Sequence, residues 1–314
     1  MKTFLIIDGN AIVHRAYHAL PPLTDKKGQT VNAVYGFFSM LLKVLEEVKP
    51  GYLAVCFDRP EPTFRKKLYS GYQAHRPKMP DELSGQFVVL HQALEKIGVS
   101  IFALDGYEAD DLIGTLAHQA INNSQLQVTN GQKEEIAVKI VTGDRDLLQL
   151  VTHSVHILFP VLGITKMTEY DEKSVEEKFG VKPEQFIDYK ALIGDASDGY
   201  PGVAGIGPKT AANLLRKFGS FENLYSNSNE LPAKTAEKLT ADAEQSALAK
   251  QLATILTDVP ITLHMEQCSV DNIDKEVVKE VFEALSFESL KKRLETISVI
   301  KTHTIQSGRQ MSLL

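Results

Sequence analysis

Gly194-Asp195-Ala196-Ser197-Asp198-Gly199-Tyr200-Pro201-Gly202-Val203-Ala204-Gly205-Ile206-Gly207-Pro208-Lys209-Thr210-Ala211-Ala212-Asn213-Leu214-Leu215 joins two kinds of chemistry in one segment. Asp195 and Asp198 are three apart, so at a helix end both carboxylates would face one side. The glycines that follow lead through Pro208 and Lys209 into the apolar run Ala211, Ala212, Leu214, Leu215. That half reads as a permissive turn opening a helix, with Pro208 at its first position. A helix N-terminus with close backbone access and a neighbouring lysine is a phosphate seat. The segment therefore offers acids for a hard metal and amides for a phosphate.

The 314 residues, 43% hydrophobic and 24% charged, suit one large globular domain or two ordinary ones. No apolar run reaches the length of a membrane span, and Met1–Asp8 is too short for a signal-peptide core, so a cytoplasmic protein with no membrane partner is expected. Cys56 and Cys268 are the only cysteines, which fits a reducing compartment. A net charge of −6 counts against a nucleic-acid binder unless the acids are gathered around cations, leaving basic surface elsewhere.

The order of the chain supports such gathering. Thr3–Asp8 and Tyr52–Asp58 are apolar runs that each end in an acid, as buried parallel strands do at a functional edge. Val99–Leu104 reads as a third strand feeding Glu108, Asp110 and Asp111 at a helix start, and Ile136–Thr142 as a fourth ending in Asp144 and Asp146. Edge strands are expected near 155–159 and 165–168. Beyond 170 the pattern is helical: 171–180, 183–193, 208–218, 232–257, 274–284 and 286–297. Residues 63–82 carry Arg65, Lys66, Lys67, Arg76 and Lys78 among Phe64, Tyr69 and Tyr72. They read either as a solvated loop or as a patch that tracks a nucleic-acid backbone and stacks unpaired bases.

Asp8, Asp58, Glu108, Asp110, Asp111, Asp144, Asp146, Asp195 and Asp198 would repel one another if they converged unpaired. Divalent cations remove that conflict, and an all-oxygen set suits two Mg2+ or Mn2+ ions rather than zinc. Such a pair, about 4 Å apart, hydrolyses phosphodiesters. His14 and His18 have zinc-compatible spacing but no local third ligand, whereas Arg15 between them is a candidate phosphate contact. Gly202 and Gly207 have Walker spacing, but Pro208 intrudes and no strand leads in.

Leu5-Ile-Ile-Asp-Gly9, Val55-Cys-Phe-Asp58, Gly106-Tyr-Glu-Ala-Asp-Asp111, Thr142-Gly-Asp-Arg-Asp146 and the opening segment occur in order. Together they resemble the 5′→3′ exonuclease domain of bacterial DNA polymerase I and the flap endonucleases, over about Thr3 to Leu294. The resemblance implies an α/β fold: a PIN-like, parallel-sheet nuclease core at 1–180 with an arch at 63–82, then a mostly helical region at 181–298 holding a helix–three-turn–helix DNA-binding motif. Residues 299–314 are expected to be a flexible tail. It implies a stand-alone, Mg2+-dependent 5′→3′ exonuclease and 5′-flap endonuclease of primer removal and repair. Asp8, Asp58, Glu108 and Asp110 would hold one ion and Asp144, Asp146, Asp195 and Asp198 the other, with Asp111 close by. Arg15, Arg76, Lys66 and Lys67 would hold the reacting phosphate. Tyr72, Gly202, Val203, Gly205, Ile206, Gly207, Lys209 and Thr210 would bind DNA, the glycine hairpin through a K+ ion on backbone carbonyls.

Relatives read Tyr-Lys-x-x-Arg where Gln73 stands here, and Ser-Asp-Asn where Gly199 stands. These departures motivate a non-catalytic branched-DNA binder as an alternative; a PIN-type ribonuclease is a second. Gln310-Met-Ser-Leu-Leu314 resembles the short peptide that docks on the bacterial sliding clamp.

Overall fold

The computed structural model describes residues 2–126, 128–129, 132–133, 135–163 and 166–302. Leaving aside 3₁₀ turns and two-residue ladders, the chain runs β1 (Lys2–Asp8), α1 (Gly9–Ala19), α2 (Asn32–Val48), β2 (Tyr52–Cys56), α3 (Phe64–Leu68), α4 (Asp81–Lys96), β3 (Ser100–Phe102), α5 (Ala109–Leu126), β4 (Ile136–Val141), β5 (Val155–Leu162) and β6 (Lys166–Tyr170). Helices follow: α6 (Glu172–Phe179), α7 (Phe186–Ile193), α8 (Pro208–Phe218), α9 (Phe221–Ser226), α10 (Ala233–Ala241), α11 (Ala243–Ala253), α12 (Lys275–Ala284) and α13 (Glu288–Leu294).

The sheet order is β3-β2-β1-β4-β5-β6, parallel except for β6 against β5. Strand β1 is apolar from Phe4 to Ile7, and both of its faces are covered there. Phe4 and Ile6 point into a core shared with Leu112, Ile113 and Leu116 of α5. Leu5 and Ile7 point into a second core built on Phe37, Phe38 and Leu41 of α2 and Leu90 and Leu94 of α4. Each of these fully buried side chains contributes roughly 1.5–3 kcal/mol. The chain leaves β1 toward β2 on one side and places β4 on the other, so the strand order reverses beside Asp8. Ligand sites of open α/β sheets form at such a point.

Several expectations are displaced. The helix expected over 232–257 breaks at Asp242, whose carboxylate accepts the Ala204 amide at 2.7 Å instead of staying on a helix face. The third strand is shorter than 99–104 because only Ser100–Phe102 pairs with β2. The end of the helical region is not part of one separate unit: Val278, Phe282, Leu290 and Leu294 return to the core of α2 and α4. Nor does a free tail begin at 299. Ile300 is buried, and the Lys301 carbonyl accepts the Lys275 amide at 3.0 Å, because the return of α12 gives that strand of chain a surface to pair with. Gln310–Leu314 lies outside the described residues. No helix among the described residues is long and apolar enough to cross a membrane.

Candidate active site

Strand register carries the first acids to one edge. Asp8 ends β1 opposite Cys56, so Asp58 lies just beyond β2; Ile7 pairs with Val141, which places Thr142 and then Asp144 beside Asp8 on the other flank. Asp8 also caps α1, accepting the Ala11 amide at 3.0 Å through Oδ1 and the Thr142 hydroxyl at 2.7 Å through Oδ2. Asp58 accepts the Ala109 amide at 2.7 Å, which ties the end of β2 to the start of α5. Asp8, Asp58, Glu108, Asp110, Asp144, Asp146 and Asp198 all line one cleft of about 1760 Å³.

Asp195 and Asp198 do not sit on a helix end. Helix α7 stops at Gly194 (φ 74), and the chain turns through a short antiparallel ladder that pairs Asp195 with Tyr200. Asp195 Oδ1 accepts the amides of Ser197 at 2.6 Å and Asp198 at 3.3 Å, and this local turn brings the acids together. Asp146, Asp195 and Asp198 each place an oxygen within 4.8 Å of the others. The Lys190 ammonium, on buried α7, bridges two of them: it contacts Asp195 and lies 2.5 Å from Asp146 Oδ1. Nothing in the motif reading singled out Lys190. Its one signal is a lysine among Phe186, Tyr189, Ala191 and Leu192, where the pattern wants an apolar residue.

Crowding shows in the proton affinities. Burial pushes Asp8 up to about 7, repulsion from Asp58 and Asp144 adding to it while the Ala11 and Thr142 hydrogen bonds hold it back. Burial and Asp144 likewise raise Asp146 to about 7 despite Lys190, and burial and its neighbouring acids carry Asp110 well above the usual carboxylate range. Asp195 goes the other way: its burial is outweighed by Lys190 and Ser197. A cleft of oxygen donors that cannot all ionise alone fits the chemistry of divalent cations.

Asp111 departs from its expected place. Both its oxygens are taken by the Arg65 guanidinium at 2.8 Å, and the Leu256 amide adds a third bond at 2.9 Å. It is wholly buried and does not line the cleft, so it acts as an internal counter-ion rather than a ligand. Arg65 is correspondingly withdrawn from the basic surface of the arch, its Nε and Nη2 also donating to the carbonyls of Leu252 and Thr254. Tyr72 is also corrected. Its ring is buried against Tyr200, with centroids 6.5 Å apart, and its hydroxyl donates to Glu108 at 3.1 Å, so that face is not free to stack on a base.

Gln73 and Arg76, in the 63–82 segment, bend over the acids. Arg76 Nη2 lies 2.6 Å from Asp198 Oδ1, Gln73 Nε2 donates to the same oxygen at 3.1 Å, and the Gln73 amide donates to the Asp198 carbonyl at 2.7 Å. Gly199 permits this approach. Its φ is +76, and a Cβ there would stand 3.0 Å from the Gly71 carbonyl and 2.9 Å from His75 Nδ1. Arg15 and Lys66 line the cleft, Arg15 donating to the Gly163 carbonyl at 2.7 Å; Lys67 is exposed but lies outside it.

The glycine hairpin divides in two. Gly205, Gly207, Lys209 and Thr210 are exposed at the start of α8, with Pro208 at the first helical position as expected. Gly202, Val203 and Ile206 are turned inward. A Cβ on Gly202 would meet the Gly194 nitrogen at 2.3 Å, and the amides of Val203 and Ile206 are spent on the carbonyls of Leu192 and Val203. Gly202 and Val203 pack the hairpin against the end of α7, and the Val203 and Ile206 amides are not available to a phosphate.

Two family descriptions match consecutive stretches: 5′-3′ exonuclease, N-terminal resolvase-like domain over residues 3–180, and 5′-3′ exonuclease, C-terminal SAM fold over 181–276. The chain belongs to the 5′→3′ exonuclease family. It is 37% identical over 297 residues to a 5′-3′ exonuclease of Aquifex aeolicus, covering 95% of this chain and 96% of that one. It is 40% identical over 298 residues to DNA polymerase I of Bacillus caldotenax, but this match takes in 95% of this chain and only 33% of the polymerase. The chain thus spans about a third of the length of such polymerase relatives. The fold is shared with the flap endonuclease of bacteriophage T5 in a pseudo-enzyme-product complex with DNA and metal ions, at a TM-score of 0.63 and 21% identity, covering 94% of this chain and 98% of that one.

Proposed function

We propose that this 5′→3′ exonuclease family member hydrolyses DNA phosphodiesters at 5′ ends and 5′ flaps, with two Mg2+ ions (or Mn2+) held by the cleft carboxylates. The observation that carries the reading is the convergence of Asp8, Asp58, Glu108, Asp110, Asp144, Asp146 and Asp198 on one cleft whose rim carries Arg15, Lys66 and Arg76. The T5 enzyme of the same fold, solved with DNA and metal ions, supports it.

Asp8, Asp58, Glu108 and Asp110 would hold one ion, and Asp144, Asp146, Asp195 and Asp198 the other. When bound, the ions supply an activated water and neutralise charge on the leaving oxygen. The chain's own groups do the rest. Arg15 and Lys66 hold phosphate at the rim, Arg76 passes from Asp198 to the substrate as the strand enters, and the exposed start of α8 with Lys209 and Thr210 grips the duplex. The inward residues Gly202, Val203 and Ile206 set the spacing between grip and cut. The protein would work on DNA in the cytoplasm, at the nucleoid, as a monomer, with the clamp-like peptide Gln310–Leu314 as a further contact.

A labelled 5′-flap duplex and its RNA counterpart, incubated with Mg2+ or EDTA, test this reading against the two alternatives. Cleavage of the DNA flap with Mg2+, abolished in Asp144→Asn with Asp146→Asn while duplex binding persists, is expected. Tight binding with no Mg2+-dependent cutting would instead mark a branched-DNA binder, and preferential RNA cleavage a ribonuclease.

A further inference from the structure

The hairpin that the family resemblance would equip with K+ is already occupied by side chains of its own chain. The Gly205 carbonyl accepts a hydrogen bond from Lys238 Nζ at 2.9 Å, and that ammonium stands 2.5 Å from where a Gly205 Cβ would be. The Gly202 carbonyl accepts Gln245 Nε2 at 2.5 Å, the Val203 carbonyl accepts the Ile206 amide at 3.0 Å, and the Ala204 amide donates to Asp242 Oδ2 at 2.7 Å. Lys238, Asp242 and Gln245 flank the break between α10 and α11 and together hold the hairpin from one side. A dehydrated monovalent cation needs several free oxygens at once. The Lys238 ammonium on the Gly205 carbonyl would also repel a second cation at close range, so while it is in place the hairpin does not fit one.

We propose that Lys238 is the resident cation of the glycine hairpin: its ammonium takes the place of a diffusible K+, so that the grip on duplex phosphate is independent of the monovalent salt. The inference rests on the reading that the hairpin binds duplex DNA. An ammonium carries three donors, and its hydrogen bond to Gly205 uses one. Two remain for other acceptors, and a phosphate oxygen held at the α8 N-terminus would be one of them. Lys238 thus bridges a backbone carbonyl and a phosphate as a bound ion would, with its position fixed by α10. Gly205 (φ +72) carries the carbonyl that Lys238 reaches, and a Cβ there would force the ammonium aside.

Binding of a flapless duplex, followed by fluorescence anisotropy in EDTA, removes cleavage and the divalent site from the measurement. KCl, NaCl and tetramethylammonium chloride are compared at one ionic strength. For the natural chain the three Kd values are expected to agree within about twofold, since the shared ionic strength sets the counter-ion release. Lys238→Met, with its fold checked by circular dichroism, is expected to bind about tenfold more weakly in NaCl and tetramethylammonium, with a salt slope reduced by about one, and to regain affinity in KCl. Several-fold tighter binding of the natural chain in KCl overturns the proposal without any variant, and so does Lys238→Met binding normally in all three salts. Lys209→Ala separates the two readings: if it leaves duplex affinity unchanged, the hairpin's role in gripping DNA fails, whatever the salts show.

Discussion

Arg65 and Asp111 form a two-pronged ion pair, with Nη1 and Nη2 each 2.8 Å from a different carboxylate oxygen and both side chains sealed from solvent at 2% and 0% exposure. It fastens the first turn of the arch to the start of α5, one residue from Asp110, which faces the cleft. Two adjacent aspartates of one motif therefore serve different ends.

Substitution separates them. Asp111→Asn leaves the guanidinium buried without its charge partner, and a loss of about 3–5 kcal/mol in urea unfolding is expected, with metal affinity retained once folded. Asp110→Asn relieves repulsion among raised carboxylates, so the metal-free protein should keep its stability while Mg2+-dependent cleavage falls steeply. An Asp111→Asn protein of normal stability that no longer binds metal would return Asp111 to the ligand set.

The cleft acids set a pH dependence whose sign follows from their direction. Asp8 and Asp146 are raised from 3.8 to about 7, so in the folded state they favour the proton. Their stabilising contribution is present below about pH 4 and is lost as pH rises through about 7, at up to about 4 kcal/mol for each shift of that size. Metal-free protein should melt at a lower temperature at pH 8 than at pH 5.5, and Mg2+ or Ca2+ should restore the difference at pH 8. A melting temperature that climbs over this range without metal would contradict the assignment of these acids as a strained, cation-seeking cluster.

Gly199 makes room for the arch. With φ at +76 and the Gly71 carbonyl 3.0 Å from its absent Cβ, Gly199→Ala should cost about 1–2 kcal/mol and push the 71–76 segment away from Asp198. Gly199→Asn tolerates the backbone angle better but meets the same carbonyl. If the close approach matters, both variants should cut flaps more slowly, with Asn the more stable. Equal activity of all three proteins would mean that the contact of Arg76 with Asp198 is idle.

Lys190 is a buried counter-charge to Asp146 and Asp195, and on the proposed two-ion reading it competes for the second site. In Lys190→Met the pair Asp146 and Asp195 loses its buried ammonium, and the metal-free protein should lose about 3–5 kcal/mol at pH 8. Titration with Mn2+ followed by electron paramagnetic resonance should show the weaker site tightening by about tenfold, roughly 1.4 kcal/mol. Unchanged binding of both ions would show that Lys190 is only a packing element.

The pattern of strands ending in acids, and of glycines and Pro208 before a helix, was legible because it is local. Periodicity sets which residues form β1, β2, β4 and α8, and a parallel sheet then has one edge at which Asp8, Asp58 and Asp144 must meet. The division of labour among neighbours was not legible. Asp110 and Asp111 are alike in type, yet about 100° of helical rotation sends one to the cleft and the other to Arg65, 46 residues away. Arg76 reaches Asp198 across 122 positions, and Lys190 reads as an interruption of an apolar helix until Asp146 is brought beside it. Composition and spacing name the groups able to ionise; which of them face water, a cation or one another depends on contacts made only when distant elements pack.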